Sequence, residues 1–421
     1  MAPFRKLVLL FFFALTVLSA RTTTADPQWG FFGHRRLNRL AVFTLDADMM
    51  PFFRGNIEWI TDHAVDPDKR RYATKHEAVR HYIDLDHWGD EDLTYPQVPR
   101  NWVDALLWQA ELLVIPAPQD TQVWRVENIT HPEEERQFVA DSRVLLRNDE
   151  GRQLELQLGA YRQFWIENIL PQFYEDRIIL EADSLDASGF PLAMVAGGKI
   201  MVRENFSGYG ILPYHLERMH KQITRAFEAE ETSAILRLCA EMGHYIGDAH
   251  VPLHTTENYN GQLTGQTGIH AFWESRLPEL FADNTYDFFV GKAEYIENPR
   301  EYYWDIVLKS HSLVDSVLRT EQRLRETYPA DQQMCFDERL GRTVRTQCAE
   351  FAAAWDKEMQ GMVEERFRAS ILSIGSVWYS CWVDAGQPDL RKLAPQPDAY
   401  ALSDTLDRAV QGGTIKGRVH E

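Results

Sequence analysis

Cysteine is scarce in this chain: four residues in 421, at Cys239, Cys335, Cys348 and Cys381. None forms a Cys-x-x-Cys pair, which excludes the common thiolate zinc sites and thioredoxin-like redox motifs. Past the N-terminal segment no apolar run reaches about 18 residues, so no later segment reads as a membrane span. Basic charge is also short, with 44 Lys and Arg against 63 Asp and Glu and a formal net charge of -19. That argues against a long basic groove for duplex DNA, which needs many phosphate contacts. A short anionic substrate held at metal ions stays open, because bound cations would dominate the local field. The chain also has no internal repeat, so nothing in it reads as a solenoid.

What the chain does have begins with a targeting pattern. Arg5 and Lys6 precede the apolar run Leu7 to Leu18, and Ser19-Ala20 supplies small residues for cleavage. This predicts a signal peptide over residues 1–20, with cleavage as late as residue 28, and a secreted or periplasmic protein. In such a compartment Cys335 and Cys348 are expected to bridge a loop. Cys239 and Cys381 lie in helical patterns and read as buried thiols. Asn128-Ile-Thr and Asn205-Phe-Ser are glycosylation acceptors in a host with that machinery.

The body of the chain reads as mainly α. Leu37, Leu40, Ala41 and Phe43 recur at helical spacing and predict a helix over 33–46. Further helices are expected over 51–63, opened by Pro51, over 74–81, from Trp102 to Leu113, over 159–181, from Leu216 to Ala249, over 269–283, 299–327 and 350–383. Alternation at Gln122–Val126 and Leu154–Leu158, and again at Lys199–Val202, predicts short strands. The expected architecture is one catalytic domain over 29–388 carrying an inserted, partly β region at 90–215, followed by a loosely ordered tail over 389–421. Gly243 and Gly247 interrupt the long pattern ending at Ala249. Glycine costs about 1 kcal/mol in a helix interior, so a close neighbour is expected there, either a backbone, an ion or a packed helix.

Three short segments concentrate the chemistry. His244 and Asp248, four apart on a helix, share one face and can reach a single cation. His254 follows after the turn Val251-Pro252-Leu253, and His270 and Glu274 repeat the i,i+4 arrangement. One such pair is common on protein surfaces. Two within 31 residues, joined by a histidine and a glycine-rich loop, point to metal. Upstream, Trp29-Gly-Phe-Phe-Gly-His34 adds a further histidine, Trp59-Ile-Thr-Asp62-His63 an acid, and His81-Tyr82-Ile83-Asp84 another histidine and acid. Imidazole and carboxylate ligands of this kind suit zinc, which keeps an open position when it is catalytic. His63, His76, His87 and His250 lie near these motifs, and His250 is expected to point off the Asp248 face.

Taken together, the segments resemble the zinc-dependent single-strand nucleases and 3'-nucleotidases of fungi and plants (S-one/P-one type). Bacterial zinc phospholipase C belongs to the same superfamily. The resemblance rests on Trp29…His34, Trp59-Ile-Thr-Asp62, His81-Tyr-Ile-Asp84, His244-Tyr-Ile-Gly-Asp248-Ala-His-Val-Pro-Leu-His254 and His270-Ala-Phe-Trp-Glu274. It covers 29–86 and 238–280. It implies a phospholipase C/nuclease-type helical fold with three zinc ions and hydrolysis of a phosphodiester by a zinc-bound hydroxide. One zinc would be held by Asp62, His81, His244 and Asp248. A second would be held by His254, His270 and Glu274, and the third by His34, Asp248 and the Trp29 main chain. Chelation by the Trp29 amine requires cleavage after Gln28, whereas the small-residue sites after Ala20 and Ala25 leave an arm. Asp62 and Asp248 are the expected catalytic carboxylates, with Asp248 bridging two metals.

By the same resemblance Tyr82 stands where the family stacks a nucleobase, which suits single-stranded substrates; the alternative is that Tyr82 is a core aromatic. Asp84 is expected either to orient a histidine or to receive a base edge. Glu274 departs from the nucleases, which usually carry Asp there, and matches phospholipase C. The leading expectation is therefore a secreted phosphodiesterase acting on single-stranded nucleic acid and 3'-nucleotides. The alternative is a phospholipase C acting on phospholipid head groups, for which Phe52, Phe53, Phe206 and Tyr209 would have to form an exposed apolar rim. A third reading is a metal-binding protein without turnover.

Overall fold

The segment that carries the His244–Asp248 pair is apolar on nearly every side, and a helix of that kind is stable only when neighbours cover it all round. It forms the centre of the protein in the computed structural model, which describes residues 31–88, 98–117, 119–130, 142–173, 178–181, 198–339, 342–393, 410, 415, 416 and 418. The expected signal peptide, Trp29 and most of the expected tail lie outside the described residues. No helix among the described residues is long and apolar enough to cross a membrane.

In chain order the elements begin with α1 (Phe31–Ala41), α2 (Met50–Gly55), α3 (Ile57–Asp62), α4 (Asp66–Arg70), α5 (Lys75–Ala78) and α6 (Trp102–Gln109). A β region follows, with β1 (Glu111–Ala117), β2 (Asp120–Thr130), β3 (Arg143–Asn148), β4 (Gln153–Gln157), α7 (Leu158–Phe164), β5 (Ile178–Glu181) and β6 (Lys199–Arg203). The chain then returns to helix in α8 (Leu212–Glu228), α9 (Thr232–His250), α10 (Ile269–Ala271), α11 (Leu277–Phe281), α12 (Pro299–His311) and α13 (Val314–Thr327). A hairpin, β7 (Met334–Arg339) and β8 (Arg342–Gln347), precedes α14 (Ala349–Glu358) and α15 (Met362–Asp384). The protein is mainly α with an inserted, partly β region, as expected.

The central helix α9 is flanked by α1, α8, α12 and α15. Its two glycines have a steric explanation. A side chain at Gly243 would run into the Asn38 amide, whose nitrogen donates to the Ala240 carbonyl at 2.9 Å and so ties α1 to α9. At Gly247 it would meet the His34 ring and Leu37 at 3.0 Å. The glycines thus open a seam for α1, and the second makes room for a candidate ligand.

The inserted strands form one antiparallel sheet in the order β4-β3-β2-β1-β6-β5. Leu112, Val114, Trp124, Val144, Leu146, Ile200 and Val202 are buried on it, and α6 and α7 pack over it. Strand alternation in β3, β5 and β6 fits a sheet covered on one face. Its apolar side belongs to the same continuous core as α8, α9 and α15. A second core lies under the hairpin, around Phe272, Leu277, Phe351 and Trp355.

Several expected boundaries shift. The helix from Trp102 stops at Gln109, because Glu111-Leu-Leu-Val-Ile pairs as a strand with β2 and β6; a short apolar run does not reveal its period. The 159–181 helix ends earlier, and residues 178–181 form β5 instead. The expected Leu216–Ala249 helix is two helices. Glu230, at φ 52, closes α8 with the Glu231 amide donating to the Ala226 carbonyl, a glycine-type C-cap built without glycine. Gly361, at φ 82, divides the expected 350–383 helix into α14 and α15. Cys335 and Cys348 form the expected disulfide, and Cys239 and Cys381 are buried free thiols.

Candidate metal centre

Six short stretches of backbone deliver the polar cluster. His34 comes from the first turn of α1 and Asp68 from α4, while His81 lies just past α5. His244 and Asp248 project from α9, and His254 comes from the tight turn Pro252–Thr255. His270 and Glu274 sit where α10 runs through a π-helical turn, Phe272–Arg276, into α11. π turns recur at functional sites because they re-aim side chains within a helix.

These donors form overlapping groups. In the first, Asp248 Oδ2 lies 2.9 Å from His81 Nδ1 and 3.4 Å from His244 Nε2. Asp68 Oδ1 stands 3.7 Å from His244 Nε2 and 3.9 Å from His81 Nδ1. In the second, His34 Nε2 lies 3.4 Å from both Asp248 Oδ1 and Glu274 Oε1. In the third, Glu274 Oε2 faces His270 Nε2 at 2.8 Å and His254 Nε2 at 3.4 Å. Asp248 and Glu274 therefore each present one oxygen to one group and the other oxygen to the next. The two carboxylates link three ligand groups in a row, and a fourth group, His34, Asp68 and His244, overlaps the first two.

The outer faces of the rings explain their aim. His244 Nδ1 donates to the Ala64 carbonyl at 2.9 Å, and His254 Nδ1 to the His81 carbonyl at 2.6 Å. His270 Nδ1 faces the Tyr259 carbonyl at 3.3 Å. These bonds fix the tautomer that leaves Nε2 as a lone pair toward the centre. The orienting groups are main-chain carbonyls, not Asp84.

Electrostatics makes the same point. Burial, reinforced by neighbouring histidines, holds His81 and His244 well below the ordinary imidazole value. Burial also brings His254 down to about 4, against the Glu274 carboxylate. Burial pushes Asp248 well above the carboxylate range, with Glu274 and Asp68 adding to the rise. Burial acts to raise Glu274 as well, but hydrogen bonds from His254, His270 and His34 hold it well below. Asp248 Oδ1 is buried with no hydrogen-bond partner among the described residues. Neutral imidazoles aimed inward, crowded carboxylates and an unpartnered buried oxygen are the donor set of a cation site. These buried groups can hold metal ions.

Of the residues expected from the sequence, His34, His81, His244, Asp248, His254, His270 and Glu274 come together. Asp62 does not: it ends α3 with its side chain exposed, outside every ligand group among the described residues. Asp68, six residues on, stands in the place expected for it. After α3 the chain turns through His63–Val65, and α4 then carries Asp68 inward. Trp29 lies outside the described residues. His250, as expected, faces away, with its Nδ1 bonded to the Ile246 carbonyl and its Nε2 near Ser373.

Beside the cluster is a slot of which the sequence marks only Tyr82 and Asp84. Tyr82 is buried and bonds the Gly208 carbonyl through its hydroxyl, yet one ring face is turned to a guanidinium, that of Arg418, 4.1 Å from the ring centre. The opposite wall is Tyr259, 3.7 Å from the same guanidinium. Asp84 and the Thr256 carbonyl complete the slot by accepting from Arg418 at 2.6 and 2.7 Å. Tyr259 also orients His270, so the slot adjoins the ligand groups directly. Its position five residues after His254 was the available signal. Arg71, buried and 3.3 Å from Asp68, brings the nearest fixed positive charge. No protein-family model and no curated protein matches the chain.

Proposed function

We propose that this protein is a secreted, zinc-dependent phosphodiesterase that hydrolyses single-stranded nucleic acid and 3'-nucleotides. The observation that carries this reading is the row of three ligand groups linked by Asp248 and Glu274, directly beside an aromatic slot floored by Asp84. Asp68, His81, His244 and Asp248 would hold one zinc, His34, Asp248 and Glu274 another, and His254, His270 and Glu274 the third. Zinc is chosen over calcium or magnesium because imidazole dominates the donor set. When bound, closely spaced zinc ions lower the pKa of a coordinated water and neutralise charge on the phosphoryl and leaving oxygens.

The chain's own residues supply position and field. Main-chain carbonyls hold three imidazoles in the metal-facing tautomer. Arg71 steadies Asp68 and offers positive charge to a phosphate at the edge of the site. The two tyrosines offer π faces, which accept any base and so suit single strands, while Asp84 accepts from a base edge. The Cys335–Cys348 disulfide supports an oxidising, extracytoplasmic location.

Phospholipid is the second substrate class, favoured by Glu274 alone. It needs an apolar rim, but Phe52, Phe53 and Phe206 are core residues and only Tyr209 of the expected four is partly exposed. The test is purified protein on single-stranded DNA, 3'-AMP and phosphatidylcholine, with and without chelator. Chelator-sensitive cleavage of the nucleic acid and nucleotide is expected; cleavage of lipid alone would refute the reading. Asp248→Asn should abolish turnover and lower zinc content together.

A further inference from the structure

The slot between Tyr82 and Tyr259 is filled by the chain itself. Arg418 lies 334 residues beyond Asp84 in sequence, yet its guanidinium is stacked between the two rings and donates through Nη1 to Asp84 and through Nη2 to the Thr256 carbonyl. Its side chain is only 10% exposed. The segment is seated by its backbone as well. Arg71 Nη2 donates to the Arg418 carbonyl at 2.6 Å, the Lys416 amide donates to the Arg71 carbonyl at 2.9 Å, and Lys416 Nζ reaches the Ala73 carbonyl. A flat group with paired N–H donors thus occupies the recognition slot, and a carbonyl oxygen occupies the guanidinium of Arg71 where a phosphate oxygen would go.

We propose that Arg418, seated together with Lys416, is a built-in competitor that occupies the slot until a base displaces it. The seat stands on the contacts just given; the identity of the competing ligand rests on the nuclease reading. Guanine offers adjacent N1–H and N2–H donors, as a guanidinium does, so guanosine 3'-monophosphate is the probe of choice. If the seat is occupied nine-tenths of the time, apparent affinity is reduced about tenfold.

Two measurements on full-length protein test this. In the first, trypsin cleavage after Arg418 is followed by intact mass: it should be slow in the wild-type protein and at least several-fold faster in Asp84→Asn, which loses the ion pair. In the second, Arg418→Ala at unchanged zinc content should bind guanosine 3'-monophosphate about tenfold more tightly and lower KM for single-stranded DNA with kcat unchanged. Equal trypsin rates in wild type and Asp84→Asn would overturn the seat. Equal or weaker probe binding by Arg418→Ala, with no gain on any substrate, would overturn the competition. If neither protein binds nucleotide but Arg418→Ala turns over phosphatidylcholine faster, the competitor stands and the nuclease reading fails.

Discussion

Asp68 and Asp62 separate local sequence pattern from three-dimensional assembly, and one pair of substitutions tells them apart. Asp68 Oδ1 is 3.7 and 3.9 Å from the inward nitrogens of His244 and His81, close enough for one cation to draw all three in. Asp62 is exposed and outside every ligand group among the described residues. Replacing an outer partner of a metal ligand typically costs tenfold to a hundredfold in affinity, so losing Asp68 itself should cost at least about a hundredfold, or roughly 2.8 kcal/mol at 1.4 kcal/mol per decade. Asp62→Asn is an ordinary surface change, within about 0.5 kcal/mol. The two states of the site add a sharper signature. Without metal Asp68 is held by Arg71 and repelled more weakly by Glu274. Asp68→Asn should therefore gain less in melting temperature on adding zinc than wild type does, because bound metal stabilises the fold by mass action. Zinc counting by mass spectrometry and melting with and without chelator read both effects. A variant Asp62→Asn that loses zinc while Asp68→Asn retains it would refute the assignment.

Other perturbations follow from the same structure. Asp104 is buried, and burial raises its carboxyl to about 6 against the nearby Arg162, 3.3 Å away. A raised folded-state pKa gives stability that is present below the ordinary value and lost as pH rises through about 6. Asp104→Asn should therefore flatten the fall in urea-unfolding stability between pH 4.5 and 8 by about 2 kcal/mol, and parallel slopes would contradict this. Gly243→Ala places a methyl group against the Asn38 amide that ties α1 to α9. It should destabilise by about 1–3 kcal/mol and lower zinc content through His34, whereas an unchanged melting temperature would reject the seam. Reducing or replacing Cys335 and Cys348, a bridge across 13 residues, should cost about 3 kcal/mol, visible first as hydrogen exchange in the β7–β8 hairpin rather than in α9.

What the sequence revealed, and what it hid, divides along the range of the interactions. The His244–Asp248 and His270–Glu274 pairs were readable because one turn of helix brings their members together, whatever the rest of the chain does. The strands at Gln122–Val126 and Lys199–Val202 were readable for the same local reason. The break at Glu230 was not, because nothing there announces a helix end: no Gly or Pro stands at residues 229–231, and the cap is made by a residue that only rarely takes positive φ. Asp68 was hidden by near neighbours, Asp62 and Asp66, in a stretch where helix, turn and helix follow within a few residues. Which acid points inward depends on how α3 docks on α1 and α9, and that is tertiary information.

Asp84 has two possible partners that the sequence alone does not distinguish. From the sequence it reads as an acid next to a candidate ligand, free to orient a histidine or to bind a base. Main-chain carbonyls already orient His244, His254 and His270, which leaves the slot as its role. Its partner Arg418 lies 334 residues away in sequence. A buried carboxylate half-enclosed by aromatic rings is stabilised by such a partner but does not specify where that partner comes from. A substrate base with paired donors and a guanidinium from the C-terminal segment satisfy it equally well, and this equivalence is what makes self-occupation chemically reasonable.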